Sequence, residues 1–88
     1  MEEGGIERDF GDYFRIARTD NGMSQESLSK LTKIPLYHIV SLENSEHESL
    51  PECVYVKGFI RACCGVLGLK YSEMSAFYIE SRRLYLQK

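Results

Sequence analysis

Apolar residues in this chain recur three and four positions apart in short runs, and no segment alternates apolar with polar residues as a half-buried strand does. Glycines, prolines and capping residues separate the runs, so the pattern specifies several short helices rather than a sheet. Ile6, Phe10, Tyr13, Phe14 and Ala17 form one stripe of a first helix that stops near Asn21-Gly22, where Gly22 suits the left-handed position that ends a helix. Ser24 predicts an N-cap with Met23 and Leu28 stapled across it, opening a second helix from Gln25 to about Leu31 in which Leu28 and Leu31 face inward. Pro35 suits the first turn of a third helix, since its missing N–H costs nothing there, and Leu36, Ile39, Val40 and Leu42 supply that helix's buried side. A polar stretch, Glu43 to Ser49, leads through Leu50-Pro51 into a fourth helix, Glu52 to Leu67, ended by Gly68. Ser72 is the expected cap of a fifth, striped by Met74, Phe77, Tyr78 and Tyr85. The predicted fold is all-α: a five-helix bundle in one domain over residues 1–88, with an ordered core over about 9–80 and a basic tail over 81–88.

Size and composition narrow the function. Eighty-eight residues, 43% apolar, support one core that buries roughly 60% of the unfolded chain's surface, too little for an interdomain cleft. A membrane span needs about 20 apolar residues, and the uncharged run Ala62–Leu69 has eight. The start, Met-Glu-Glu-Gly-Gly, lacks the basic and apolar regions of a signal peptide. Cys53, Cys63 and Cys64 are odd in number and contain no CxxC pair, which points to reduced thiols in a cytoplasmic setting rather than a disulfide framework. Adjacent cysteines on a helix diverge by about 100° and do not bridge easily, so Cys63 and Cys64 are expected to act as small hydrophobes. His38 and His47 stand without a cysteine pair, leaving metal binding unsupported. The sequence offers no nucleophile–base arrangement in convincing context and no phosphate-cradling glycine loop, so neither catalysis nor a cofactor is expected. Gly58 and Gly65 are expected to serve close packing of a helix or a partner.

Helices two and three with the short turn between them have the dimensions of a helix-turn-helix. The stretch Gly22-Met23-Ser24-Gln25-Glu26-Ser27-Leu28-Ser29-Lys30-Leu31-Thr32 resembles the start of the phage-repressor (XRE-type) motif, and Leu42-Glu43-Asn44 resembles the end of its second helix. Reading DNA requires more than this scaffold. Bases are read by Arg, Lys, Asn or Gln forks on the first turn of the second motif helix, and here that turn is Pro35, Leu36, Tyr37 and His38. From Ser24 to Glu48 there are two cations against four anions, a poor match to phosphates. Gln25, Lys33, Tyr37 and His38 are the residues a DNA-binding role would use, with Gln25 on a phosphate.

The fourth helix carries two apolar bands. Val56, Ile60, Cys63, Cys64 and Leu67 cluster on one side, assigned to the core; Tyr55, Phe59, Ala62 and Val66 form a second band roughly 120° away. Lys57 and Arg61 lie beside that second band, where residues 52–70 hold three bases against one acid, while residues 1–23 hold six acids against three bases. Aromatic side chains beside Arg and Lys have the composition of a binding hot spot for an acidic protein.

Pro51 through Leu69, with Val54-Tyr55-Val56-Lys57-Gly58-Phe59-Ile60-Arg61 at its centre and Leu67-Gly68-Leu69 at its end, resembles the signature of the RodZ family of bacterial cell-shape proteins. The likeness extends back through Leu42-Glu43, Ile34-Pro35 and Gly22-Met23-Ser24, covering about residues 9–80. It implies a repressor-like helix-turn-helix domain at the cytoplasmic face of the inner membrane that binds the bacterial actin MreB through its fourth helix and links it to the peptidoglycan-building machinery. By position it implies Tyr55 and Phe59 as anchors, Lys57 and Arg61 as charge partners, and Cys63 as a smaller anchor where the family usually has a further aromatic. It also implies a transmembrane helix beyond these residues, for which Ser81-Arg82-Arg83-Leu84-Tyr85-Leu86-Gln87-Lys88 would be the basic approach. The leading expectation is therefore a non-enzymatic cytoskeletal adaptor. The rival is a sequence-specific DNA-binding regulator using helix three, distinguished by salt-dependent duplex binding.

Overall fold

The computed structural model describes residues 9–87; Ile6 of the expected first stripe and Lys88 lie outside them. Asp9 caps α1 (Phe10–Asp20) by accepting the Asp12 N–H at 3.1 Å. Asn21 and Gly22, the latter at φ 69°, close that helix. Ser24 then caps α2 (Gln25–Thr32), its hydroxyl accepting the Ser27 N–H at 3.0 Å. A left-handed Lys33 (φ 62°) ends α2, and Pro35 opens α3 (Leu36–Glu43). A 3-10 turn, His47–Ser49, leads to α4 (Cys53–Leu67). Gly68 (φ 73°) closes α4 with its own N–H and that of Leu69 both donating to the Cys64 carbonyl, the first as in a left-handed cap and the second as the long bond of a Schellman end. α5 runs from Tyr71 to Leu86. The described residues contain five α-helices and no strand, as the periodicity predicts.

Each helix contributes to one shared core. α1 gives Phe10 and Phe14, α2 gives Leu28, α3 gives Ile39 and Leu42, and α5 gives Met74 and Tyr78. The core side of α4 is Val56, Ile60, Cys63, Cys64 and Leu67, the band read from the sequence. Phe10 ties α5 to α1: its ring stacks on Phe14 (5.6 Å) and meets the edges of Phe77 (5.9 Å) and Tyr78 (5.5 Å). Burial of each such ring stabilises the fold by about 2–3 kcal/mol.

Several local expectations are corrected. Leu31 is 61% exposed, because the left-handed turn at Lys33 brings Ile34 back into the core beside Leu28 instead. Leu36 is also exposed: α1 crosses α3 at its C-terminal end, against the Leu42 and Glu43 carbonyls, and leaves the first turn of α3 uncovered. Lys70, not Ser72, is the N-cap of α5. The residues expected as a tail from Ser81 are the last turns of α5, held by the Phe10 N–H donating to Ser81 Oγ (3.2 Å) and by Tyr85 against His47 (4.8 Å). Gly58 and Gly65 face open space, with nothing within 4 Å of where a Cβ would sit, so helix packing does not explain them.

Candidate functional site

The two bands of α4 meet different fates. Val56 and Ile60 on the first band are sealed, whereas Tyr55 on the second is 60% exposed one residue away. Val54, 68% exposed, stands beside it; it begins the arc Val54–Gly58–Arg61–Gly65, whose helical spacing was in the sequence although Val54 was not singled out there. Lys57 is half-buried on the same helix. Arg61 is exposed and lays its guanidinium over the Tyr71 ring of α5, 4.1 Å from the centroid, which holds the charge near the α4–α5 seam.

Phe59 departs from the simple outward band. It is half-buried, covered by the His38 imidazole of α3 stacked on it at 5.1 Å and 27°. Cys63 is fully buried on the core band to which helical spacing assigns it, so the anchor role that the family resemblance implies for it is corrected: it cannot touch a partner. Burial, with Cys64 and Glu43 nearby, pushes its thiol up to about 12, so it stays protonated and unreactive at neutral pH.

The residues considered for DNA do not form a cluster. Gln25 turns inward, its side-chain amide donating to Glu43 Oε1 at 3.0 Å. That carboxylate is already held by Arg18, whose Nε and Nη2 donate at 2.6 and 3.0 Å, while Arg18 Nη1 donates to the Met23 carbonyl at 2.7 Å. The network joins α1, the α1–α2 turn, α2 and α3, and it was missed from sequence. Its signal was present: Arg18 lies one turn beyond Phe10 and Phe14 on the same apolar stripe, where an arginine must have a partner. Lys33 is exposed on its turn, and Tyr37 is 65% exposed.

His38 stacks between Tyr37 (4.3 Å) and Phe59, and its Nδ1 is buried without a hydrogen-bond partner. Leaving such a group unpaired costs about 1–3 kcal/mol, so this ring serves packing between α3 and α4 rather than presenting its nitrogens to bases. His47 is packed similarly between Tyr78 (5.9 Å) and Tyr85 (4.8 Å). Among the described residues no group of three His, Cys, Asp or Glu side chains is arranged to hold a metal ion. A groove of about 280 Å³ lined by Tyr13, Ile16, Ala17, Asp20, Asn21 and Leu69 carries one carboxylate and no nucleophile.

Helices α2 and α3, joined by the tight Lys33–Pro35 turn and braced by α1 and α4, define a helix-turn-helix protein. The sequence model of the helix-turn-helix domain family matches residues 13–74, most of the chain, and the chain belongs to that family. Its fold is similar to the solved structure of YmfM from Staphylococcus aureus, provisionally described as a DNA-binding membrane protein. The two share 26% identity with a TM-score of 0.75, over 84% of this chain and 90% of that one. Comparison with curated proteins gives no significant match.

Proposed function

We propose that this domain is a non-enzymatic adaptor of the RodZ type, which docks the bacterial actin MreB on the outer face of α4 and couples it to membrane-associated cell-wall synthesis. The observation that carries the reading is Tyr55, a large ring 60% exposed at the start of α4, beside exposed Val54 and close in sequence to Lys57 and Arg61. A tyrosine and a valine exposed side by side on a helix that also carries Lys57 and Arg61 have the composition of a binding hot spot. The resemblance of Pro51–Leu69 to the RodZ signature supports MreB as the partner, with Phe59 contributing as a half-covered ring behind the anchor. The same reading places the domain at the cytoplasmic face of the inner membrane; no described helix is long and apolar enough to cross a membrane. The membrane description of the staphylococcal relative supports that association.

Co-sedimentation with purified MreB filaments tests the reading. Tyr55→Ala, which removes an exposed side chain and leaves the core intact, is expected to weaken binding by about tenfold or more with an unchanged circular dichroism spectrum. Replacing Lys57 and Arg61 together is expected to slow association and flatten its salt dependence, because peripheral charges steer more than they hold. Full binding by Tyr55→Ala would remove α4 as the docking face.

A second reading, duplex DNA binding through α3, is favoured by the description of the staphylococcal relative. It requires salt-dependent binding of an oligonucleotide duplex that weakens on changing Lys33 and Tyr37. The inward-turned Gln25 and the stacked His38 count against it.

A further inference from the structure

Resting on the adaptor reading, we infer that the docking surface continues from α4 across the first turn of α3, so that one acidic protein partner covers Tyr55 and Tyr37 together. Three observations lead there. The first is continuity. Tyr37 lies 4.3 Å from His38 and His38 stacks on Phe59 at 5.1 Å, so three rings in contact carry the row from α3 to α4, and Tyr55 extends it one helical turn before Phe59. Its two ends are its most open members, at 65% for Tyr37 and 60% for Tyr55.

The second is extent. A specific interface takes about 20–30 residues from each side, and one helix of 15 residues with its core band sealed cannot supply them. A partner seated on Tyr55 must therefore overlap a neighbouring element. Towards α5 the surface turns charged at Arg61, which lies over Tyr71, whereas on α3 the exposed side chains Leu36 and Tyr37 are apolar.

The third is charge. The first turn of α3 holds no fork that could read a base, and the positive excess lies in residues 52–70, where Lys57, Arg61 and Lys70 stand against Glu52 alone. Exposed rings on and beside a helix with a net positive charge complement an acidic protein face.

The experiment compares wild type, Tyr55→Ala, Tyr37→Ala and Tyr37→Glu for binding to purified MreB filaments, with a duplex oligonucleotide titrated in parallel. Tyr37 makes no core contact, so both of its variants are expected to fold as wild type, checked by circular dichroism and thermal unfolding. Filament affinity is expected to fall about five- to tenfold for Tyr37→Ala and further for Tyr37→Glu, which sets a carboxylate against an acidic surface. If Tyr55→Ala loses binding while both Tyr37 variants stay within twofold, the surface ends at α4 and the inference fails with the adaptor reading intact. If Tyr37→Ala weakens the duplex and not the filament, the turn belongs to DNA and the inference is equally overturned. Wild-type protein that does not bind filaments removes both.

Discussion

A Cβ at Gly11 would lie 2.5 Å from the Glu43 carbonyl oxygen and 2.8 Å from that of Leu42, both backbone atoms that cannot swing aside. That single hydrogen side chain is what lets α1 cross the end of α3 closely enough to seal Leu42 and Glu43. Gly11→Ala is therefore expected to destabilise the domain by about 3 kcal/mol, measured by urea unfolding. The same change at Gly58, in open space on α4, is expected to stabilise by about 0.5–1 kcal/mol. Lys33 illustrates the opposite economy of shape: a side chain held at φ 62°, where glycine is the usual residue, in order to turn Ile34 into the core. Neither Gly11 nor Lys33 announces its role in the sequence, because the atoms that constrain each of them come from the folded backbone.

At the scale of helices, the ion pair between Arg18 of α1 and Glu43 of α3 is the buried charged joint of their seam. The two side chains are 10% and 1% exposed, and the bond to Glu43, opposed by burial and reinforced by charge, raises the guanidinium's already high pKa. Removing one partner strands the other in the core, so Arg18→Met or Glu43→Met alone is expected to cost about 3–5 kcal/mol. The double replacement is expected to recover most of that loss, since no charge then remains buried. Unfolding the two singles and the double in urea gives the coupling directly; additive losses would show that the pair does not act as a unit. The helices themselves were largely legible. The caps at Ser24 and Gly68 and the core band of α4 follow from short-range spacing. Leu31 and Leu36 were misassigned because periodicity locates a helix's apolar face but says nothing of whether a neighbour reaches its final or first turn.

Across the whole molecule, α5 closes the bundle by packing its far end on the 3-10 turn, with His47 between Tyr78 and Tyr85. Burial, and secondarily the Arg82 guanidinium, holds His47 below its ordinary value of 6.5, against the opposing pull of Asp9. The unfolded chain thus takes up this proton at a higher pH than the folded one. Its contribution to stability is complete above pH 6.5 and is lost as the pH falls through the lower folded value. Urea midpoints are expected to drop between about pH 7.5 and about pH 5, and His47→Phe is expected to flatten that slope. A slope unchanged by the substitution would assign it to other groups. Asp9 acts in a separate window. Burial pushes its carboxyl up, but bonds from Ser45 and from the Asp12 and Gly11 N–H groups outweigh this and hold it below 3.8. Its contribution is therefore retained until the pH falls below that value.

The sequence by itself determined that the chain is helical, where most helices start and stop, which side of α4 is core, and that a helix-turn-helix lies in its first half. Those properties rest on interactions within four residues, which spacing and capping chemistry encode directly. Only the tertiary structure decided that Phe59 lies beneath His38 while Tyr55 stays open, that Gln25 faces Glu43, and that Cys63 is sealed. It also decided that Arg18 finds its partner 25 positions away. Each of these depends on which helix covers which, and that outcome is fixed by competition among all the apolar faces for a single small core.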